Sequence, residues 1–273
     1  VGSEMCIRDS LSVLKRTFEE MELEPHEVTI VSGIGQGAKL PHYTRCNTFN
    51  GLHGRTLPVA TGLSLVNSLT RIIAIAGDGD CYGEGGNHLL HAIRRNANIT
   101  LLVHNNQIYG LTKGQASPTS APALVSKTQP FGNPSEPLNP LALAIAMDCG
   151  FVARAFAGAS GLPHLQKLIR MAMEHKGFAL IDILQNCLTF NKINTFHWYK
   201  EKTYFLEDEY NPEDRAGAFA RSLEWEDKIP LGLFYRKDKP VIEDRLPRPE
   251  EKFLTTAPFL SETAMESEWN RFY

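Results

Sequence analysis

An open α/β sheet, mostly parallel and with helices on both faces, is the fold this sequence predicts. Three observations carry it. Arg71 to Ala76, Ile99 to His104 and Phe178 to Leu184 are apolar almost throughout, as strands buried on both faces are. Between such runs lie stretches with apolar residues three and four apart, the spacing of helices. The composition is ordinary for a globular chain: 273 residues, 42% hydrophobic and 22% charged.

Val1 to Ser10 shows neither helical nor strand period and reads as a truncated or non-native segment, so Cys6 is given no chemical role. Leu11, Leu14, Phe18 and Met21 then mark an amphipathic helix from Leu11 to Glu22, closed by Pro25. Val28 to Ser32 is a β-branched strand ended by Gly33-Ile-Gly-Gln-Gly37. Pro58 to Asn67 is expected to be a helix with proline in its first turn. Arg71 to Ala76 runs straight into Gly77-Asp78-Gly79-Asp80. A helix over Gly86 to Asn96 and a strand over Ile99 to His104 follow. Gly110 to Asn139, rich in Pro, Ser, Thr, Gly and Gln, lacks periodicity and reads as a functional loop. Helices over Leu141 to Met147 and Leu162 to His175 alternate with strands over Phe151 to Phe156 and Phe178 to Leu184. The β-α-β-α alternation indicates a parallel sheet covered on both faces.

The expected organisation is a binding domain over residues 11–193 and a C-terminal extension over 194–273. In the extension Trp198, Tyr199, Tyr204, Trp225, Phe234 and Tyr235 alternate with charges and prolines, which suits packing on the core or on a partner. Asp238 to Glu251, Pro-rich and charged, reads as extended.

A net charge of −3, from 28 Lys and Arg against 31 Asp and Glu, argues against nucleic-acid binding. No apolar run approaches the roughly 20 residues that span a bilayer, so no membrane segment is expected. The five cysteines are odd in number and scattered, which does not suit a disulfide framework. With no secretory leader in view, a cytoplasmic protein with reduced thiols is the expectation.

The chemistry lies at two strand ends. Gly77-Asp78-Gly79-Asp80 follows one buried strand and Asn105-Asn106-Gln107-Ile108 follows the next, one helix later. Parallel strands end on the same edge, so a carboxylate from one and an amide oxygen from the other can meet. Joined by a backbone carbonyl, these are hard oxygen ligands suited to Mg²⁺. The glycines let the backbone approach a pyrophosphate, at the edge where open α/β sheets bind ligands.

This arrangement resembles the thiamine pyrophosphate motif. The resemblance assigns the metal to Asp78, the Asn106 side chain and the Ile108 carbonyl. It places Gly77, Gly79, Asp80, Asn105, Gly110, Leu111 and Thr112 on the cofactor, with Thr112 touching the diphosphate. Further runs stand in one order: Gly33-Ile-Gly-x-x-Ala-Lys39, Gly51-Leu-His-Gly-Arg55, Gly85-Gly-Asn-His88, Tyr109-Gly-Leu-Thr-Lys-Gly-Gln-x-Ser-Pro-Thr119, Cys187-Leu-Thr-Phe-Asn191 and Pro230-Leu-Gly-Leu-Phe-Tyr-Arg236. Together they are similar to the β subunits of 2-oxoacid:ferredoxin oxidoreductases, the 2-oxoglutarate type above all. The resemblance implies coenzyme A-dependent oxidative decarboxylation of a 2-oxoacid, with electrons passed to ferredoxin. It makes His53 and Arg55 candidates to meet the pyrophosphate or reacting groups. Lys39 becomes the cation near the substrate carboxylate, and Leu111 and Lys113 face the substrate cavity.

The family also holds a [4Fe–4S] cluster on four Cys of this subunit, since iron–sulfur sites need soft thiolates. Here Gln36 stands at one ligand position, the N-terminal Cys pair is absent, and Cys187 is the residual ligand. Cys46 could substitute only if its loop folds back. A cluster on this chain is therefore left open.

Three alternatives are compatible with parts of the pattern. A non-oxidative thiamine-dependent decarboxylase or synthase subunit has the same fold. A non-catalytic assembly subunit would not need Asp78 and Asn106 intact. A dinucleotide-binding protein would need an acid to hold a ribose, and no Asp or Glu occurs between Lys39 and Ile75. Thiamine enzymes also need a second domain whose glutamate protonates the aminopyrimidine. A single α/β domain here implies an α subunit bringing that glutamate and most substrate contacts.

Overall fold

The computed structural model describes residues 2–67, 69–122 and 124–246, together with Thr263, Glu266, Trp269 and Asn270; the side chains of residues 2–6 and Ala159 lie outside the description. The strands are β1 (Val28–Ser32), β2 (Asn47–Asn50), β3 (Arg71–Gly77), β4 (Thr100–Asn105), β5 (Phe151–Phe156), β6 (Ala179–Leu184), β7 (Thr203–Phe205) and β8 (Ile229–Arg236). They form one sheet in the order β2-β1-β3-β4-β6-β5-β8-β7. All pairs are parallel except β5 with β8. Helices α1 (Gly2–Glu20), α2 (Thr56–Val66), α3 (Gly86–Arg95), α4 (Pro140–Ala146), α5 (Leu162–Glu174), α6 (Phe196–Lys202), α7 (Arg215–Ser222) and α8 (Ile242–Arg245) complete the described chain.

Side chains alternate across the central strands, so each strand feeds two cores. Ile73 and Ile75 face the core shared with Leu14 and Phe18 of α1 and Leu165 and Ile169 of α5. Ala74 and Ala76 face the opposite core, with Leu57 and Ala60 of α2 and Leu89 and Ile93 of α3. The open α/β sheet expected from the apolar runs is thus present, with predicted elements displaced by a residue or two at their ends.

Two expectations need correction and one is extended. Helix α1 begins at Gly2, so the segment before Leu11 is helical. Ile7, which is buried, continues the stripe of Leu11, Leu14, Phe18 and Met21 at the same alternating spacing of four and three. Residues 194–246, expected to pack on the core or on a partner, go further than packing. Strand β8 pairs with β5 inside the sheet, and its Phe234 and Tyr235 are core residues. Asp238 to Glu251 is not extended throughout, since Ile242–Arg245 is a helical turn; residues 247–251 lie outside the described residues. Sequence reading also missed β2, an edge strand whose four residues are all exposed and carry no apolar pattern.

Candidate cofactor-binding site

The chain runs β1 then β2 to one side and β3, β4 to the other, so the order reverses between β1 and β3. A cavity opens at their C-terminal ends, where such sheets bind ligands. Its lining includes Gly35 and Gln36 after β1, Gly77 to Asp80 after β3, Asn106 and Ile108 after β4, and Cys187 after β6.

Asp78 is buried at the head of a single π-helical turn, Gly79–Glu84. Its Oδ2 accepts hydrogen bonds from Ser117 Oγ at 2.5 Å and Thr119 Oγ1 at 2.9 Å. Burial pushes its carboxyl up to about 6, against those two hydroxyls and the Gly79 N–H, which favour the charged form. A buried carboxylate raised by desolvation gains most from a cation placed beside it.

Asn106 Oδ1 accepts from Ile108 N at 3.1 Å, which curls the chain back on itself after β4. Gln107 between them takes the left-handed conformation, φ 57°. Asp78, Asn106 and Ile108 therefore line one cavity as the motif requires. The residues fit a pyrophosphate and Mg²⁺ on two grounds. The donors are hard oxygens. Gly35 and Gly110 are open cradles, where a Cβ would meet no protein atom within 4 Å, and Gly77 is nearly so. Leu111 and Thr112 also line the cavity.

Other predicted residues lie elsewhere or act differently. Asp80 does not turn to the cavity's oxygen donors. Its Oδ1 accepts from Ile34 N at 3.1 Å and Gly54 N at 2.8 Å, and its Oδ2 accepts from Thr56 Oγ1 at 3.2 Å. It clamps the loops after β1 and before α2. Asn105 lies off the cavity lining: its Nδ2 donates to Asp182. Lys39 sits in the 3₁₀ turn Gly37–Tyr43, whose inward positions are Gly37, Ala38, Leu40 and Pro41, leaving Lys39 exposed and off the cavity lining. Arg55 precedes α2 and is exposed, because its neighbours Gly54 and Thr56 are turned to Asp80. Lys113, with φ 73°, is also absent from the lining. His53 does line the cavity, its Nδ1 lying 2.9 Å from Asp80 Oδ1 and 3.6 Å from Glu84 Oε2.

Sequence reasoning missed His104, which is buried in the cavity wall with neither ring nitrogen in a well-formed hydrogen bond. Burial pushes it down to about 4, so it is neutral near pH 7. Its place, last but one in an apolar strand, reads as core in the sequence. Ser117 and Thr119 stand inside one of the motif runs, and that position is the signal that could have found them. Asp182 is signalled by a carboxylate amid the apolar run Ala-Leu-Ile-Asp-Ile-Leu.

The described thiols do not fit a four-Cys cluster. Cys187 lies in the cavity against Ile108 and Leu124, while Cys46 lies in a surface depression beside Phe18 and Pro25. Gln36 lines the same cavity as Cys187, and among the described residues no three His, Cys, Asp or Glu side chains are grouped for a metal. Nor, among them, is any helix long and apolar enough to cross a membrane.

Comparison with known proteins gives the same frame. The family model described as "Thiamine pyrophosphate enzyme, C-terminal TPP binding domain" matches residues 33–183. The model for the C-terminal part of the pyruvate ferredoxin oxidoreductase beta subunit matches residues 187–251. The chain is 41% identical over 248 residues to 2-oxoacid:ferredoxin oxidoreductase 1, subunit beta, of Aeropyrum pernix, covering 86% of this chain and 77% of that one. It is 38% identical over 262 residues to the corresponding subunit of Saccharolobus solfataricus, covering 91% and 85%. Among solved structures, 2-oxoglutarate:ferredoxin oxidoreductase from Magnetococcus marinus, with 2-oxoglutarate, coenzyme A and succinyl-CoA bound, superposes with a TM-score of 0.85 at 34% identity, over 88% of this chain and 82% of that one. The chain belongs to the β subunits of the 2-oxoacid:ferredoxin oxidoreductases.

Proposed function

We propose that this β subunit binds the diphosphate of thiamine pyrophosphate through Mg²⁺ held by Asp78, the Asn106 side chain and the Ile108 carbonyl. It does so for coenzyme A-dependent oxidative decarboxylation of a 2-oxoacid, 2-oxoglutarate by preference, with ferredoxin as electron acceptor. The observation that carries the reading is the meeting of Asp78, Asn106 and Ile108 in one cavity with open cradle glycines.

Thiamine pyrophosphate, when bound, supplies the nucleophilic carbon and electron sink that cleavage of a 2-oxoacid needs. The chain's own residues bind and orient. Asp78 brings negative charge to the metal, and Ser117 and Thr119 hold that carboxylate in one rotamer. Asp80 fixes the Gly33–Gly37 and Gly51–Arg55 loops that frame the cavity. His53, against Asp80 and Glu84, is placed to hold or pass a proton at the cavity wall. An α subunit brings the glutamate for the aminopyrimidine and most substrate contacts. Lys39 and Arg55, off the cavity in this chain, are proposed to act only where that partner folds over them. The preference for 2-oxoglutarate rests on similarity to relatives so named.

The test is 2-oxoacid- and coenzyme A-dependent reduction of ferredoxin or viologen by the αβ complex. Release of carbon dioxide without dye reduction would instead favour the non-oxidative alternative, to which the poor fit of the thiols gives some support. Activity with pyruvate but not 2-oxoglutarate would overturn the substrate assignment.

A further inference from the structure

Behind the metal ligands lies a buried chain of polar groups that runs from the motif residues Thr119 and Asn105 to Asp182. Asp182, on β6, is buried. Its Oδ1 accepts from Tyr82 Oη at 2.9 Å, and the buried Arg154 lies with Nε 3.8 Å from Oδ2. Asn105 Nδ2 donates to both carboxylate oxygens, at 3.1 and 3.3 Å. A carboxylate accepts and cannot donate, so Asp182 decides which end of the Asn105 amide faces it. Asn105 Oδ1 must then face the other way. There it accepts from Gln107 N at 3.3 Å and lies 2.9 Å from Thr119 Oγ1.

Thr119 Oγ1 is also 2.9 Å from Asp78 Oδ2. One hydroxyl proton thus has two acceptors. Gln107 N is a second donor for Asn105 Oδ1, which leaves the Thr119 proton free to serve Asp78. If the amide were reversed, its NH₂ would oppose the Gln107 N–H. It would also take the Thr119 oxygen as an acceptor, and the turn after β4 would lose its brace. The amide orientation therefore holds the turn carrying Asn106 and Ile108 through Gln107, beside the Thr119 hydroxyl that serves Asp78.

We infer that Asp182, acting through Asn105, is a positioning residue that sets the Asn106–Ile108 turn. The inference rests on the metal assignment made under the proposed function. Asp182 touches no reacting group. Its effect belongs to metal affinity, as for other residues that orient ligands, where loss of an outer partner costs about 10–100-fold.

The experiment measures Mg²⁺ binding calorimetrically on the αβ complex with thiamine pyrophosphate present, for wild type and four variants. Asp182→Asn keeps the shape of the side chain but lets the Asn105 amide reverse. It is expected to weaken Mg²⁺ binding by about 10–100-fold, and to raise the Mg²⁺ concentration for half-maximal activity more than it lowers turnover at saturating Mg²⁺. Tyr82→Phe removes a hydrogen bond to the same carboxylate without touching Asn105. It is expected to lower thermal stability while leaving Mg²⁺ affinity within about twofold. The exchange Asp182→Asn with Asn105→Asp restores one donor facing one acceptor and is expected to regain most of the affinity. Equal losses of affinity in Tyr82→Phe and Asp182→Asn would make the role merely structural and overturn the inference. Unchanged affinity in Asp182→Asn, with tight binding in the wild type, would also overturn it. Asp78→Ala separates the two claims: if it binds Mg²⁺ as wild type does, the metal assignment itself fails.

Discussion

Ser117 Oγ donates to Asp78 Oδ2 at 2.5 Å, tying the long loop after β4 to the end of β3. Even with this bond and that from Thr119, burial holds the Asp78 carboxyl up at about 6, above its ordinary 3.8. For an acid raised in the folded state, the stabilising contribution is complete below about pH 4 and is lost as pH rises through about 6. The metal-free complex should therefore carry a penalty from Asp78 at pH 7.5 of roughly 3 kcal/mol, from about 1.4 kcal/mol per unit. Asp78→Asn should raise the melting temperature of the stripped complex at pH 7.5 and change it little at pH 4. Added Mg²⁺ with thiamine pyrophosphate should stabilise only the wild type. Equal stabilisation of both by Mg²⁺ would contradict the metal role.

Gly33 illustrates how closely Asp80 is held. A Cβ at Gly33 would lie 2.1 Å from Asp80 Oδ2 and 2.6 Å from Thr56 Oγ1. Gly33→Ala must push that carboxylate off Ile34 N, Gly54 N and Thr56, leaving donors unpaired. A loss of about 2–4 kcal/mol is expected, from overpacking together with broken hydrogen bonds. Chemical denaturation would measure it. Gly35→Ala behaves differently, since Gly35 has open space around it and φ 111°. Its cost should be backbone strain of about 1–2 kcal/mol, with cofactor affinity falling because the new methyl enters the cradle.

The central strands were legible because short apolar runs such as Ile72 to Ala76, five in a row, recur between helical patterns. Asp78 and Asn106 were legible because their spacing was set by a strand, a helix and a strand. Asn105 lies off the cavity for a reason of geometry. Successive residues at a strand end face opposite sides, so Asn105 and Asn106 cannot both enter one cavity. Lys39 and Arg55 lie off the cavity lining in this chain, because the orientation of a 3₁₀ turn and of a helix entry depends on contacts that no local pattern encodes. Strand β8 was read only as a motif run, not as a strand. Its partner β5 lies far away in sequence, so its place inside the sheet was not legible.

Cys187 sits among Ile108, Leu124, Ala116 and Phe190 rather than among the other described thiols. Cys187→Ser puts a hydroxyl into that apolar cluster and should cost about 1–2 kcal/mol. Iron and acid-labile sulfide in a complex assembled from a chain of this sequence should not change with the substitution. Loss of iron in the serine variant would show that Cys187 binds a cluster after all.

Asp148 joins strand β8 to the core through a charged cluster. It adopts φ 58°, in the left-handed region that Asp tolerates better than most residues. Its Oδ1 accepts from Tyr235 Oη at 2.6 Å, and its Oδ2 from Lys237 Nζ at 3.0 Å, while Lys239 Nζ lies 3.6 Å away. Burial alone would raise its carboxyl, but the bonds from Tyr235 and Lys237 and the charge of Lys239 bring it below the usual carboxylate range. The sign is opposite to that of Asp78. The contribution of Asp148 is present above about pH 4 and is lost as pH falls further. Asp148→Ala should destabilise the complex by about 2–3 kcal/mol at pH 7, since a charged acceptor is lost and the buried end of Tyr235 is left unpaired. Asp148→Asn, which keeps an acceptor for Tyr235 and tolerates the backbone, should cost about half as much. The gap between wild type and Asp148→Asn should close as pH drops below about 4, read from denaturant midpoints at several pH values. A gap that stays constant with pH would mean that the lysines add nothing and that Tyr235 alone fixes the strand.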